Sequence, residues 1–133
     1  MKKLTPILTV EALEPCLPFW TERLGFETTV TVPHEDRLGF AILARGGVEI
    51  MYQSRASVAA DVPAVLERLP SDGGALLFIE VEDLDEVVSA LGDAEVVVPR
   101  RQTFYGMDEV FVRAPCGTIV GFAARVEEGQ PRG

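Results

Sequence analysis

The sequence predicts an α+β fold in which one unit, a strand followed by a helix and three more strands, occurs twice. Short apolar segments bounded by turn residues predict the strands, and apolar residues at helical spacing predict the helices. The segments TVEALEPCLPFWTERLGF and EVEDLDEVVSALGDAEVV occupy corresponding places in the two halves of the 133-residue chain. Internal repetition on this scale is strong evidence about fold, and a chain of this length suits a single domain.

In the first half, strands are predicted at residues 4–10, 26–32, 38–44 and 48–53. Helical spacing of apolar residues predicts a helix over about 13–24, which Gly25 ends. Its apolar face consists of Leu13, Leu17, Trp20 and Leu24. Pro18 is unfavourable inside a helix, and this prediction accommodates it only near the helix start, where few backbone donors have partners.

In the second half, strands are predicted at 76–81, 94–98, 109–113 and 118–124. Asp83 is placed to cap a helix, because Glu86 follows three residues later in capping-box spacing and Gly92 comes directly after the apolar stripe. Between the two halves, residues 57–74 read as a linker that contains one short helix, closed by Pro70 and Gly73.

The charge of the chain excludes two classes of partner. With 21 acidic and 12 basic residues the formal net charge is -9, which repels nucleic-acid phosphates and anionic lipid alike. No apolar run is long enough for a membrane span. We therefore expect neither a nucleic-acid partner nor a membrane partner. The acidic surplus modestly favours a cationic ligand, although the commoner role of such a surplus is solubility.

The N-terminal sequence and the two cysteines predict a cytoplasmic protein. Thr5, Pro6 and Thr9 interrupt the apolar stretch of MKKLTPILTV, so it is unlike an export signal. Cys16 and Cys116 have neither metal-type spacing nor a secretory context. Both are therefore predicted to be reduced thiols.

Four segments resemble the vicinal oxygen chelate superfamily, which includes glyoxalase I, extradiol dioxygenases, fosfomycin-resistance enzymes and bleomycin-resistance proteins. They are FWTERLGF, GGVEIMYQ, IEVEDLDEVVSAL and TFYGMDEVFVRAPCGTIVGF. The resemblance spans residues 4–124 and is nearest to bleomycin-resistance-like and uncharacterised glyoxalase-like members. It implies that two βαβββ modules pair into a curved mixed sheet around a cleft, and that the protein is a homodimer. Module one then covers about 4–56, the linker helix about 57–74 and module two about 75–126 of one domain.

Metal-using members of this superfamily carry His, Glu or Gln ligands at four matched points, in the first and last strands of each module. The resemblance places those points at Thr5, Glu49, Leu76 and Gly121. Only Glu49 has a ligating side chain, whereas a catalytic metal takes about three protein ligands. The resemblance therefore implies no metal site and no cofactor here, and it disfavours catalysis.

Alternation along the strands places mostly apolar side chains on the face that carries these four points. The predicted ligand-binding residues are Glu49, Met51, Phe78, Tyr105, Met107 and Gly121. Gly121 either enlarges the cleft beside Leu76 or accommodates a bulky neighbour such as Tyr105 or Phe111. Tyr105 and Met107, on the loop before the seventh strand, either close over a planar ligand or pack against the sheet end.

Glu49 is the most informative of these residues, because an ionised carboxylate on a buried strand face needs a partner. Its partner is either a cationic or hydrogen-bond-donating group of a ligand, or an arginine of the chain such as Arg100 or Arg101. The first alternative makes Glu49 part of a binding site. The second makes it a structural ion pair.

Three functions remain open from the sequence. The leading one is metal-free binding of a small molecule, which would sequester a cationic or aromatic antibiotic-like ligand. The second is a metal-dependent lyase or dioxygenase with atypical ligands such as Glu49, Glu80 and His34. The third is a protein-interaction module whose cleft is filled by its own side chains.

Overall fold

The computed structural model describes residues 2–69 and 75–126, apart from the side chain of Cys116. The chain divides into two compact units, Met1–Asp72 and Gly73–Gly133. Each unit has its own four-stranded mixed sheet, so the predicted α+β class and the repeated order of elements are confirmed. Among the helices in the described residues, none is long and apolar enough to cross a membrane.

The sheet of the first unit consists of β1 (Ile7–Val10), β2 (Glu27–His34), β3 (Arg37–Arg45) and β4 (Val48–Ser54). These strands lie in the order β1-β4-β3-β2, with β1 parallel to β4 and the other neighbours antiparallel. Two-residue turns close the hairpins. Left-handed backbone at Glu35 and Gly46, each with φ of 57°, gives these turns the twist that the flanking strands require.

One face of this sheet forms the core of the first unit. Its side chains at Ala41, Leu43, Ile50 and Tyr52 are almost completely buried. The Trp20 indole is completely buried, and its Nε1–H donates a hydrogen bond of 2.9 Å to the Tyr52 hydroxyl on this face. The Phe26 ring meets the same indole edge-on, with 5.1 Å between the ring centroids. The indole therefore joins the segment after β1 to the buried face of the sheet.

The helix predicted over 13–24 is present only in part. Backbone turns cover 13–16, and the helical segment consists of one short turn followed by a π-helix, Phe19–Arg23. Pro18 directly precedes the π-helix. Pro18 has helical backbone, with φ of -58° and ψ of -31°, and it is tolerated because the helical residues begin only at Leu17, where few backbone donors have partners yet. The wider π-helical turn still buries Trp20, one of the apolar side chains that predicted the helix, and it also buries Phe19.

Two short helices replace the single helix predicted between the halves. They are α1 (Arg55–Asp61) and α2 (Pro63–Leu66). The Ser54 hydroxyl caps α1 by accepting a hydrogen bond of 3.1 Å from a backbone N–H of its first turn. Pro63 separates the helices, because a proline disfavours helical backbone at the residue before it. The predicted closing residues Pro70 and Gly73 lie outside the described residues.

The sheet of the second unit consists of β5 (Leu77–Glu80), β6 (Glu95–Gln102), β7 (Met107–Arg113) and β8 (Ile119–Arg125). Their order is β5-β8-β7-β6, with β5 parallel to β8 and the rest antiparallel. β6 and β7 extend towards each other beyond the predicted ends at 98 and 109. Their hairpin is therefore longer than the sequence pattern indicated.

The helix of the second unit, α3 (Leu84–Leu91), matches its prediction. The Asp83 carboxylate caps it by accepting a hydrogen bond of 3.2 Å from the Glu86 N–H. The Arg100 guanidinium ties its first turn to the sheet: it donates to Asp85 at 2.6 Å and, through two nitrogens, to Asp108 at 3.1 and 2.8 Å. These bonds raise the pKa of Arg100, so the guanidinium stays charged.

The prediction of a reduced thiol at Cys16 is wrong, because this fully buried residue is disulfide-bonded. Cysteine spacing along a sequence reports metal and redox motifs, but it does not report which thiols tertiary folding brings together. The prediction for Cys116 falls on a side chain outside those described.

We predict that Tyr52→Phe lowers the free energy of unfolding by about 1–3 kcal/mol, because it leaves the buried Trp20 N–H without its acceptor. Urea denaturation followed by circular dichroism measures this loss. In a Trp20→Phe background the same substitution should cost clearly less, since the donor is already absent. An equal cost in both backgrounds would show that the hydrogen bond contributes nothing.

Candidate functional site

Two neighbouring rows of side chains cross one face of the second sheet. The first, here called the aromatic row, consists of Phe78, Gly121 and Phe111, which are register partners on β5, β8 and β7. The second, here called the charged row, consists of Glu80, Ala123, Glu109 and Arg101, on β5, β8, β7 and β6. Successive members on one strand are two residues apart, which places the rows about 7 Å from each other.

The aromatic row explains the glycine in the middle of β8. A Cβ atom at Gly121 would lie 2.5 Å from Cε2 of Phe111, so the ring occupies the space above this glycine. Of the two roles predicted for Gly121, this contact supports the accommodation of a bulky neighbour. It does not support an enlarged cleft. The register also corrects the neighbour of Gly121 on β5, which is Phe78 and not Leu76.

Phe78 and Phe111 together form an apolar surface on the sheet. Their ring centroids are 6.2 Å apart and their planes are inclined by 45°, a spacing at which aromatic rings attract each other. Phe78 is 52% exposed. An exposed phenylalanine beside a half-buried one offers a ring face and a ring edge to a flat apolar molecule.

The charged row contains a completely buried carboxylate, that of Glu109. Both of its oxygens have donors: the Tyr105 hydroxyl bonds Oε1 at 2.7 Å, and Nε and Nη2 of Arg101 bond Oε2 at 3.1 and 2.9 Å. The hydrogen bond to the Glu109 carboxylate, together with lost solvation, raises the pKa of Tyr105. Tyr105 therefore acts as a donor at neutral pH.

Tyr105 and Met107 have different environments, although the sequence suggested one role for both. Tyr105 lies in the turn between β6 and β7 and is half-exposed. Its ring packs edge-on against Phe104, which is 95% exposed, with 5.0 Å between centroids. Met107 is the first residue of β7, not a loop residue, and it is buried. Its backbone bonds to Thr103 in both directions, which fixes the turn.

Glu49 belongs to the first unit, where its partner is a lysine. Lys3 Nζ bonds Glu49 Oε1 at 2.8 Å, and the Thr5 hydroxyl donates to the same oxygen at 3.3 Å. The Lys3 ammonium thereby lowers the pKa of Glu49. The predicted pairing of Glu49 with Arg100 or Arg101 is wrong, because those arginines bind other carboxylates on the second sheet.

Met51 follows Glu49 on the same face of β4, since side chains alternate along a strand. It is half-buried, and its register partner on β1 is the exposed Ile7. The six predicted ligand-binding residues thus divide between the two units. Glu49 and Met51 are neighbours on the first sheet, and the other four lie on the second sheet or in its β6–β7 turn.

The four points at which metal-using relatives carry ligands do not fit a metal ion in this chain. Thr5 is a neutral hydroxyl that already donates to Glu49, Leu76 is apolar, and Gly121 has no side chain. The remaining carboxylate is bonded to an ammonium group. Within residues 2–69 and 75–126, no group of three or more His, Cys, Asp or Glu side chains is placed to hold an ion.

Sequence reasoning missed two residues that organise these surfaces, Glu109 and Lys3. A signal for Glu109 was present, because MDEVFVR places this acidic residue between the apolar Met107 and Phe111 on one strand face. Lys3 carries no such signal. Its contact depends on how the segment before β1 runs beside β4, which no local pattern reports.

Comparison with known proteins gives a consistent fold. The family model described as "Glyoxalase/Bleomycin resistance protein/Dioxygenase superfamily" matches residues 4–122. TioX from Micromonospora sp. ML1 is 18% identical with a TM-score of 0.72, over 95% of this chain and 100% of TioX. A glyoxalase/bleomycin resistance protein/dioxygenase from Nocardioides is 19% identical with a TM-score of 0.68, over 100% of this chain and 89% of its own. A lactoylglutathione lyase from Agrobacterium tumefaciens is 16% identical with a TM-score of 0.67, over 93% of this chain and 94% of its own.

At these identities the solved structures establish likeness of fold alone. No curated protein matches the chain.

We predict that Gly121→Ala lowers the free energy of unfolding by about 1–3 kcal/mol, because the new methyl group overlaps the Phe111 ring. In a Phe111→Ala background the same change should stabilise by about 0.4–1 kcal/mol, since alanine restricts the unfolded chain more than glycine does. Chemical denaturation of the four proteins measures both values. Destabilisation of equal size in the two backgrounds would show that Phe111 is not the obstacle.

We predict that the Glu49 carboxyl titrates below the ordinary range of a glutamate and that Lys3→Met raises its midpoint. Because the pKa of Glu49 is lower in the folded than in the unfolded chain, its ion pair stabilises the fold at pH values above the unfolded pKa of about 4.3. This contribution is lost as the pH falls through the folded value. Carbon-detected NMR titration measures the midpoint, and Lys2→Met is the charge-matched control, expected to leave it unchanged. A midpoint that does not respond to Lys3→Met would contradict the ion pair.

Proposed function

The chain belongs to the glyoxalase/bleomycin resistance protein/dioxygenase superfamily, and we propose that it is a small-molecule-binding protein whose ligand is a planar aromatic compound. Its role would be to hold or sequester that compound without a metal ion. Membership leaves several functions possible, because one fold supports binding as well as different chemistries. The proposal therefore depends on the side chains of this chain.

The observation that supports it most directly is the aromatic row. Phe78 exposes half of its surface although burial of such a ring stabilises a protein by about 1.5–3 kcal/mol. It lies next to Phe111, whose ring is held against Gly121. A planar ligand stacked on this pair would remove the exposed ring from water. Each aromatic contact of that kind contributes about 0.5–1.5 kcal/mol beyond the buried area.

Binding without a metal is supported by the residues at the four family points. Three of them supply no metal ligand, and the carboxylate at the fourth is engaged by Lys3. A catalytic ion needs about three protein ligands and an open position. The lyase or dioxygenase alternative therefore has no ligand set on the described residues. The interaction-module alternative predicts that aromatic compounds do not bind.

Of the two ligand classes expected from the sequence, the aromatic one has the stronger support. The carboxylates that suggested a cationic ligand already have basic partners, Lys3 for Glu49 and Arg101 for Glu109. A cationic ligand would have to displace one of them. Homodimer formation and a cytoplasmic location stay predictions.

We predict that naphthalene-2-methanol, a neutral planar probe, binds with a dissociation constant in the millimolar range or below. Phe78→Ala and Phe111→Ala should each weaken binding by about fivefold, which corresponds to about 1 kcal/mol per lost aromatic contact. Val96→Ala is the control, because it removes an equally exposed apolar side chain whose register partner, Val112, lies on the opposite face. Ligand-observed NMR titration measures the affinities.

Two results would contradict the proposal. One is no binding of the probe, or binding that neither phenylalanine affects. The other is about one equivalent of metal in dialysed protein, found by elemental analysis after incubation with zinc, nickel, iron or manganese and lost in Glu49→Gln. The second result would make Glu49 a ligand of a metalloenzyme.

A further inference from the structure

We propose that Arg101 makes this site selective for planar aromatic compounds that carry a carboxylate or carbonyl oxygen at the ring edge. This inference rests on the proposed function, since it specifies which compounds the aromatic row accepts. The acidic composition suggests a cationic ligand, whereas this inference predicts an anionic or neutral one. Four features of the charged row carry it.

The first feature is the unequal exposure of the two charges. Glu109 is 0% exposed, whereas the side chain of Arg101 is 57% exposed. The carboxylate is thus covered and the guanidinium faces outward. An approaching ligand meets the positive end of this ion pair first.

The second feature is unused donor capacity. A guanidinium has five N–H groups, and Arg101 uses its Nε and Nη2 nitrogens on a single oxygen of Glu109. Across the described ranges 2–69 and 75–126, Glu109 is the only hydrogen-bond partner of this guanidinium. Its Nη1 donors are therefore free to bind an acceptor. Arginine is well suited to this task, since its planar fork matches a carboxylate in two-point geometry.

The third feature is the position of Arg101 relative to the aromatic rings. Glu109 and Phe111 are two residues apart on one face of β7, and Arg101 is the register partner of Glu109 on β6. Arg101 therefore lies on the strand next to that of Phe111, in the charged row, which neighbours the aromatic row. Adjacent strands are about 4.8 Å apart, so a polar group on the edge of a stacked ring reaches the guanidinium.

The fourth feature concerns the other charged and polar groups of the row. The Tyr105 hydroxyl is already bonded to Glu109. Glu80 lies at the far end of the row, on β5, with Arg125 at 3.7 Å. A ligand ammonium near Arg101 would meet a like charge, while a carboxylate would meet free donors. The net charge of -9 is spread over the whole chain, and its field is screened over about 8 Å at physiological salt. A ligand in contact with Arg101 therefore interacts mainly with the guanidinium.

The test uses three probes that share one ring system: 2-naphthoate, 2-naphthamide and 2-naphthylmethylammonium. Titrations at pH 7 and at low and physiological salt give the three dissociation constants. We expect 2-naphthoate to bind tightest, 2-naphthamide next, and 2-naphthylmethylammonium at least tenfold more weakly than 2-naphthoate. Added salt should narrow this difference, because charge contributes to it.

Variants assign the preference to Arg101. Arg101→Gln should bring the naphthoate and ammonium affinities within about twofold of each other, and Arg101→Lys should keep the order with a smaller difference. Arg101→Gln alone leaves the buried Glu109 carboxylate short of donors, so this variant can fail to fold. The double variant Arg101→Gln, Glu109→Gln replaces both charges by neutral amides and is used in that case. Arg68→Gln, an exposed arginine of the first unit, is the control of equal charge change.

The outcomes separate this inference from the proposed function. Equal affinities, or tightest binding of the ammonium probe, would overturn the selectivity and leave aromatic binding intact. A preference for 2-naphthoate that persists in both Arg101→Gln proteins would overturn the role of Arg101. Failure of all three probes to bind would overturn the proposed function and this inference together.

Discussion

The second unit depends on one constraint, the complete burial of the Glu109 carboxylate. A charge removed from water costs several kcal/mol unless donors replace the lost solvent. Those donors come from the β6–β7 turn, through Tyr105, and from β6, through Arg101. Satisfying Glu109 therefore fixes the half-exposed tyrosine ring and the direction of the guanidinium at the same time. The turn is held from the other side by the Thr103–Met107 hydrogen bonds.

The elements set by local pattern were predictable from the sequence. α3 lies at the predicted residues, because Asp83, the apolar stripe and Gly92 are all local signals. The hairpins of the first sheet follow from alternation and turn residues in the same way. The segment after β1 shows the limit of such reasoning. Apolar spacing identified Leu13, Trp20 and Leu24 as buried side chains, but it did not predict that Phe19–Arg23 is a π-helix.

The candidate site was less predictable, because its important contacts join residues distant in sequence. Phe78 and Gly121 were expected on one face and are register neighbours. The partner of Glu49 was misjudged, since several carboxylates compete for the basic groups and only tertiary placement pairs Lys3 with Glu49 and Arg101 with Glu109. The disulfide at Cys16 is a further example. Composition and spacing describe which groups are available, whereas pairing depends on distances in the folded chain.

Membership of the superfamily and the identity of the ligand are separate questions, and the charges show why. The whole chain is acidic, which suggests that its ligand is a cation. On both sheets, however, the basic partner is more exposed than the carboxylate that it binds. The side chain of Lys3 is 61% exposed and that of Glu49 is 24% exposed. Arg101 is likewise more exposed than Glu109. Interaction between charges falls with distance and is screened by salt. For the proposed aromatic site we therefore expect the exposed base, and not the net charge of the chain, to select the charge of the ligand.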